Sequence, residues 1–312
     1  MENRKIRYTF LLPAYKPNFL EEALLSIRNQ TYIDFNVIVS DDSSPYDLKS
    51  IFDKVCSDDA RFTYRRNDVN MGGKSLVSHW NLLVEMCDTE FFIMASDDDV
   101  YEPLFLEQIN SFTQEYSQVN LFRASVRAID ANGKEVRCER NSKPFMSHSE
   151  YVHNTFNGNM ISCEANYVYR TEVFKKMGGF VDFPKAWFSD DATHIVMSNK
   201  GCCATEKILF GFRNSSDSIS GQWGNPSVCA DKIDATLKFY KWFETYLNLS
   251  HSQVSKNDDV RFYVNKRVIR SVDDSIYYLR FSDFVKYLYL CPSNLGFNKP
   301  RMFIHWLRCK VL

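Results

Sequence analysis

Three short acidic runs are the part of this chain best equipped for chemistry: Ser40-Asp41-Asp42-Ser43-Ser44, Ser96-Asp97-Asp98-Asp99 and Ser189-Asp190-Asp191. The first two directly follow apolar segments, Phe35–Val39 and Phe91–Ala95, that have the length of short strands. Three consecutive carboxylates repel one another unless a cation or hydrogen-bond donors offset them. A hard, oxygen-preferring ion such as Mg²⁺ or Mn²⁺ suits such a set, held by one or two carboxylates plus substrate phosphates. Asp and Ser also form ordinary turns, so either run alone reads equally well as a solvated turn. The third run opens a helical pattern, where acidic residues are favoured by the helix dipole whatever their function. Two adjacent carboxylates can also push one pKa toward working pH, which a general base needs.

The elements that must position these residues alternate. Tyr8–Leu12 reads as a strand stopped by Pro13. Asn18 and Glu21 form a capping-box pattern that opens a helix to about Gln30, with Leu20, Ala23, Leu24 and Ile27 on one stripe. Phe35–Ser40, Arg61–Arg65 and Glu90–Ala95 read as further strands. Between and after them, helices are predicted at Asp47–Cys56, Lys74–Cys87 and Pro103–Tyr116. This order predicts an α/β fold with a mainly parallel sheet flanked by helices. Ligands in such sheets bind outside the carboxyl ends of the strands, where the first two acidic runs stand. Farther on, Val119–Ile129 and Lys134–Cys138 read as a hairpin about Asn132-Gly133. Ala165–Tyr169 reads as a strand and Thr171–Met177 as a helix stopped by Gly178-Gly179. Another helix runs from near Asp190 to Asn199, and the chain from Val228 onward reads as helical. The expected division is an α/β domain over 1–222 and a helical region over 223–312.

Composition excludes several classes. The chain has 312 residues and 45% hydrophobic content, ample for a core. Lys plus Arg is 38 and Asp plus Glu is 39, so no basic excess points to nucleic acid. No apolar run approaches the ~20 residues of a membrane span. The charged N-terminus lacks the apolar centre of a signal peptide. The nine Cys are scattered, which fits a reducing compartment and a cytoplasmic location. The six His show no metal-ligand spacing, and Gly72-Gly73 lacks the flanking residues of a phosphate-binding P-loop. The segment Lys299–Lys310 mixes Lys and Arg with Trp, Phe, Ile and Leu. It suits either an anionic membrane surface or a terminal helix docked on the fold.

Read together, the motifs resemble glycosyltransferase family 2. Leu11-Leu-Pro13-Ala14-Tyr15, Ala23–Tyr32 and Phe35–Ser44 are similar to its opening. Asn70-Met-Gly72-Gly73 with Trp80-Asn81 is similar to its next block, and Ala95–Pro103 to its D-x-D block. The resemblance covers about residues 6–220 in order and spacing. It implies the GT-A fold, a Rossmann-like nucleotide-sugar-binding sheet, here with a C-terminal helical extension. It further implies that Pro13, Ala14 and Tyr15 line a nucleoside pocket. Asp42 would accept a hydrogen bond from the base, as from a uracil N3–H, and Asp97 would contact the ribose or donor sugar. Asp98, or second Asp99, would ligate a divalent cation, Mn²⁺ or Mg²⁺, at the donor diphosphate. Asn70 and Lys74 would approach the nucleotide or phosphates, although Lys74 also reads as an exposed helix residue. Asp191 takes the family's base position, with Asp190 its neighbour. Arg213, in the segment Gly211–Gly221, would approach the diphosphate, with Ser215 where many members carry His. Cys163, Glu164 and Asn166 lie where the family meets its acceptor.

The leading expectation is an inverting, metal-dependent glycosyltransferase. Its donor would be a nucleotide sugar, UDP-linked by preference. Its acceptor would be a glycan hydroxyl, such as a lipid-diphosphate-linked O-antigen or capsule unit at the cytoplasmic membrane face. A sugar nucleotidyltransferase would need a Gly- and Arg/Lys-rich triphosphate loop near the first strand, whereas Leu11–Asn18 has no Gly and only Lys16. A non-catalytic sugar-nucleotide or glycan-binding protein is the other alternative. The intact Asp42, Asp97–Asp99 and Asp191 count against it.

Overall fold

The structure is a computed structural model that describes residues 6–139, 143–214, 224–249, 254, 258–292 and 295–311. Its first third alternates strand and helix: β1 (Tyr8–Ala14), α1 (Leu20–Arg28), β2 (Phe35–Asp41), α2 (Leu48–Cys56), β3 (Phe62–Arg66), α3 (Leu76–Glu85) and β4 (Phe91–Met94). Next come β5 (Val100–Tyr101), α4 (Phe105–Glu115), β6 (Leu121–Ile129), β7 (Glu135–Cys138), β8 (Phe145–Met146) and α5 (His148–Phe156). β9 (Tyr167–Arg170), α6 (Thr171–Lys176), α7 (Ser189–Met197) and β10 (Cys202–Arg213) complete the sheet region. Helices α8 (Pro226–Leu249), α9 (Asp258–Ile276), α10 (Phe281–Leu290) and α11 (Lys299–Val311) follow.

The strands form one sheet in the order β3-β2-β1-β4-β9-β6-β10-β5, with β7 beside β6 and β8 beside β10. β1 pairs in parallel with β2 and β4, β2 with β3, and β6 with β10. β9 joins the two parallel groups by pairing antiparallel to both β4 and β6. The period-2 alternation of strands sorts their side chains into two cores. Tyr8, Phe10, Leu12, Phe91 and Ile93 face α1, α2 and α4. Leu11, Phe92 and Met94 face the other layer, with residues of α3, α5, α6 and α7. Phe239 and Phe243 of α8 and Val264 and Val268 of α9 enter that second core. The expected 222/223 boundary lies outside the described residues, and side chains from both sides of it share one hydrophobic core.

The structure departs from expectation at several elements. The Asn18–Glu21 box does not cap α1: the N-cap is Phe19, with no side-chain cap hydrogen bond. A true capping box forms at Ser147 and Glu150 and opens α5, a helix the sequence reading left out. β10, twelve residues long, is likewise a strand beyond those that the sequence pattern predicts. In α11, Met302 and Trp306 face inward, the indole donating to the Leu279 carbonyl at 3.1 Å. Trp306 is therefore part of a docked helix rather than of an exposed surface. Phe303, Ile304 and Leu307 lie exposed on the same helix.

Candidate active site

A cavity of about 1010 Å³ opens at the carboxyl ends of β1, β2 and β4. It is where a parallel sheet exposes its loops and where ligands of such folds bind. Of the residues singled out in the sequence, Pro13, Ala14, Tyr15, Asp42, Asn70, Asp97, Asp98, Asp99, Asp190 and Asp191 all line it. Lys74 does not. It is exposed and borders a smaller neighbouring cavity beside Lys185 and Lys238.

At one end Asp42 follows β2. Its Oδ1 accepts from Asn67 Nδ2 at 2.8 Å and from the Met71 amide at 2.9 Å, and its Oδ2 from the Gly72 amide at 2.7 Å. The chain can approach this closely because Gly72 has no side chain: a Cβ there would stand 3.0 Å from Asp42 Oδ2. Asn70 Oδ1 accepts from the Gly73 amide, which closes the loop on itself. Behind Asp42, buried His79 bonds Ser40 Oγ and Asn67 Nδ2, both at 3.2 Å through Nε2. Burial holds its pKa below the usual histidine range. The sequence reading set His79 aside with the other histidines. No spacing rule could have found it, since its partners come from β2 and from the loop after β3.

In the middle stands the Asp97–Asp99 turn after β4. Asp97 Oδ2 accepts from the Tyr15 and Lys16 amides, both at 2.8 Å, so the end of β1 clasps it. Burial raises the Asp97 carboxyl pKa, and Lys16 opposes the rise. The Lys16 ammonium lies 3.3 Å from Asp98 Oδ2 and 3.9 Å from Asp97 Oδ1. Asp98 also accepts from Ser96 Oγ. Asp99 Oδ1 accepts from the Arg213 amide at 2.8 Å, and burial followed by the charge of Asp98 lifts its pKa well above the carboxylate range.

This donor set is all oxygen, carries like charges in close quarters and already draws a cation, the Lys16 ammonium. It fits a hard divalent ion completed by phosphate oxygens. Among the described residues no group of three or more His, Cys, Asp or Glu is spaced to hold a metal alone. One or two carboxylates with substrate oxygens is the arrangement the site can offer.

Arg213 corrects an expectation. Its side chain is buried and absent from the cavity wall. Nε donates to the Asp98 carbonyl at 2.8 Å, and Nη1 to the Asp130 and Ala131 carbonyls at 3.2 and 3.3 Å. Nη2 donates to Glu22 at 2.6 Å, and the guanidinium lies 4.3 Å from the centre of the Phe19 ring. With its donors engaged by protein, Arg213 is a strut beneath the acidic turn, not a phosphate contact. The Ser215 position lies outside the described residues.

The far end holds Asp190 and Asp191 in the first turn of α7. The approach to them is strained. Among the described residues only Ser43, Lys185, Ala186 and Phe188 have left-handed backbones without being glycine. One follows Asp42 and three precede the acidic pair. Such residues cost on the order of 1–3 kcal/mol each and gather at functional sites. Asp190 Oδ1 accepts from the Asp191 amide at 2.9 Å. Burial, then the Asp191 charge, pushes Asp190 up to about 7. Burial also raises Asp191, but Arg267 and then His194 oppose it.

Glu164 lines the cavity nearby, and burial lifts it to about 8. Its Oε1 accepts from the Tyr169 hydroxyl at 2.7 Å, and that hydroxyl bonds His194 Nε2 at 2.7 Å. Cys163 also lines the cavity, whereas Asn166 is buried and donates to the Ala124 carbonyl at 2.7 Å. Asn166 is thus a structural residue.

A pH dependence follows. Folded Asp190 keeps its proton up to about pH 7, but an unfolded Asp only to about 4. Its contribution to stability is fully present below about pH 4 and is lost as pH rises through 7. Asp190→Asn keeps the amide acceptor and removes the titration. Its stability over the parent should grow between about pH 4 and 7, by up to about 4 kcal/mol, then stay flat. Urea unfolding near pH 5 and pH 8 checks this. An equal difference at both would mean that Asp190 does not hold its proton in the fold.

Comparison with known proteins gives the geometry a family. The sequence profile of glycosyl transferase family 2 matches residues 9–178. A GalNAc(5)-diNAcBac-PP-undecaprenol beta-1,3-glucosyltransferase of Campylobacter jejuni is 36% identical over 80 residues. That stretch covers 26% of this chain and 25% of the relative, so the match spans about a quarter of either. Residues 1–349 of S. aureus TarS, solved in complex with UDP, superpose with a TM-score of 0.64 at 14% identity. The alignment covers 97% of this chain and 88% of that one. A mannosyltransferase from Pyrobaculum calidifontis, solved with GDP-Man and Mn²⁺, gives 0.56 at 12% identity, covering 98% and 86%. With the profile spanning more than half of its length and the mixed sheet built as in these structures, the chain belongs to glycosyl transferase family 2 and has the GT-A fold.

Proposed function

We propose that this protein is an inverting glycosyltransferase that moves a sugar from a nucleotide sugar, UDP-linked by preference, to a glycan hydroxyl. The observation that carries the reading is that one cavity brings together Asp42, Asp97–Asp99 and the Asp190–Asp191 pair from three separate parts of the chain. Residues 1–222 would hold donor and chemistry, and residues 223–312 would face acceptor and membrane. The similar Campylobacter protein is named for a lipid-diphosphate acceptor, which supports a lipid-linked glycan, such as an O-antigen or capsule precursor, here too.

In this reading the nucleoside lies between Pro13–Tyr15 and the Asn70–Gly73 loop. Asp42 Oδ2 receives one protein hydrogen bond, from Gly72, and keeps acceptor capacity for the imide N–H of a uracil. Asp97 reaches the ribose or donor sugar. Asp98, with Asp99 second, would hold a divalent cation that offsets charge on the departing diphosphate. Lys16 adds a positive charge beside it.

Asp191 removes the proton of the acceptor hydroxyl as that oxygen attacks the anomeric carbon from the face opposite the diphosphate. The new C–O bond forms as the old one breaks, and the electron pair leaves on the diphosphate oxygen. The charge of Arg267 favours ionised Asp191, while its neighbour Asp190 rises to about 7. Environments that push two adjacent carboxyls apart are how acid and base roles are divided. A carboxyl near 7 is also well matched to a base at neutral pH. Asp190 is therefore the second candidate.

The exposed Phe303, Ile304 and Leu307 of α11, with Arg301 and Arg308 also exposed, form a basic-apolar surface suited to an anionic membrane. No helix among the described residues is long and apolar enough to cross one.

Three outcomes are expected. Thermal shift with UDP, GDP, CDP and dTDP, each with and without Mn²⁺, should show stabilisation by UDP that needs metal and is lost in Asp98→Asn. Stabilisation by none of the four would reject the donor assignment. Asp191→Asn should bind donor normally yet lose about 10²–10⁴-fold in turnover. A larger loss in Asp190→Asn, with Asp191→Asn near normal, would move the base to Asp190. Ile304→Ser with Leu307→Ser should weaken sedimentation with phosphatidylglycerol vesicles and spare the buried Trp306. Unchanged sedimentation would exclude α11 as the membrane contact.

A further inference from the structure

Helix α9 turns a cationic stripe into the same cavity. Tyr263, Lys266, Arg267 and Arg270 all line it, and their spacing of three, one and three residues sets them along one helix face. Arg137 of β7 lines the cavity as well and donates to the Gly158 carbonyl at 2.9 Å. Lys266, Arg267 and Arg270 are exposed to the cavity and solvent rather than packed away.

The stripe is held in place by core contacts, with Arg270 Nε also 3.6 Å from Asp274 Oδ2 one turn on. Val264 and Val268 on the opposite side of the helix are buried in the core shared with the sheet. Ser271 Oγ, one turn beyond Arg267, accepts from the Trp187 indole at 3.0 Å, and the rings of Tyr263 and His153 lie 5.2 Å apart.

The place of the stripe decides what it serves. The proposed nucleotide end of the cavity is built by Pro13–Lys16, Asp42 and Asn70–Gly73. The stripe is at the other end: the Arg267 guanidinium lies 5.9 Å from the centre of the Phe188 ring and acts electrostatically on Asp191. This is the side on which an acceptor must approach the base. Sugar hydroxyls need carboxylates and neutral donors, and the carboxylate wall already supplies the former. Several cations at one wall fit an anion, which the carboxylates would otherwise repel.

We propose that the acceptor carries a phosphate group, as a diphosphate or phosphodiester, and that Lys266, Arg267 and Arg270 bind it while Asp191 faces the reacting hydroxyl. This rests on the glycosyltransferase reading and specifies the acceptor class within it. Tyr263, at the end of the stripe, offers a ring against a sugar or an alkyl chain of the same ligand. The anion could be a lipid diphosphate headgroup or a phosphate of a soluble glycan, and the test separates the two.

Calorimetry on the full chain, preincubated with UDP and Mn²⁺ to fill the donor end, would measure binding of inorganic pyrophosphate and of farnesyl diphosphate. The proteins are the parent, Lys266→Ala/Arg270→Ala and Arg261→Ala, the last an exposed α9 residue paired with Glu244 and absent from the cavity wall. The double variant should bind farnesyl diphosphate about ten-fold or more weakly, while its UDP affinity and that of Arg261→Ala stay within about two-fold of the parent. Farnesyl diphosphate binding tighter than pyrophosphate would mark a lipid source, and equal binding a soluble phosphate. Either supports the site.

Unchanged diphosphate affinity in the double variant would overturn the proposal. So would UDP affinity falling in step, because the stripe would then serve the donor. Failure of the glycosyltransferase reading looks different: the parent would not bind UDP, yet stripe-dependent diphosphate binding would persist.

Discussion

Everything in this molecule's site depends on holding three consecutive carboxylates, Asp97, Asp98 and Asp99, in a largely desolvated turn. Coulomb repulsion and lost hydration both oppose that arrangement. The fold meets it with donors drawn from distant parts of the chain. The amides of Tyr15 and Lys16 clasp Asp97, and the amide of Arg213 takes Asp99. The guanidinium of Arg213 then ties the Asp98 carbonyl to the β6–β7 turn and to Glu22 of α1. β1, β4 and β10 must be in register for all of these to meet. The sheet is thus the device that makes the acidic turn affordable, and the cavity is what remains above it.

The same constraint explains which parts were legible in the sequence. The alternation of β1 to β4 with α1 to α3 is strongly periodic, and the acidic runs at the ends of β2 and β4 stood out by composition. β10 did not stand out. It carries Glu206-Lys207 in mid-strand, where its register with β6 shifts, and so breaks the alternation that identifies strands. α5 had its cap signal in Ser147 and Glu150, but its apolar positions are diluted by His148, His153 and Asn154. The apparent box at Asn18 does not form because the N-cap falls one residue later, at Phe19, and the helix begins at Leu20. Arg213 reads as a diphosphate contact from sequence because Gly211–Gly221 resembles a family loop whose basic residue approaches the diphosphate. Only the tertiary fold shows that its side chain points down into protein. His79 and the α9 stripe were invisible for the converse reason: both look like ordinary helix residues until the fold sets them beside the cavity.

Buried polar groups extend the organisation under the Ile161–Glu164 side of the cavity. Arg123 and Glu139 form a fully buried ion pair at 2.9 Å. Glu139 also accepts from the amides of Val126 and Ile161, and Arg123 donates to the Ile161 carbonyl. Breaking one partner of such a pair costs about 3–5 kcal/mol, because the other charge is left buried. Here the pair pins the backbone at Ile161, which lines the cavity, next to Cys163 and Glu164. The wall that would meet the acceptor is therefore fixed by electrostatics from beneath. The approach to Asp190 is held by a strained backbone at Lys185, Ala186 and Phe188.

These features give the cavity two unlike walls. One is built of carboxylates at the carboxyl ends of β2 and β4 and on α7, with raised pKa values at Asp97, Asp99, Asp190 and Asp191. The other is built of cations on a helix whose back is locked into the hydrophobic core. A ligand that satisfies both must offer hydroxyls and cations to the first and anionic oxygens to the second. Neither a bare nucleotide nor a neutral sugar does so alone. A donor diphosphate beside Lys16 and Asp98, together with a second anion beside α9, would leave the space between them neutral enough for a proton to pass from a hydroxyl to Asp191. In that arrangement the cationic wall would do more than hold the acceptor. By favouring the ionised form of Asp191 it would also keep the base ready, so acceptor recognition and proton abstraction would draw on the same charges.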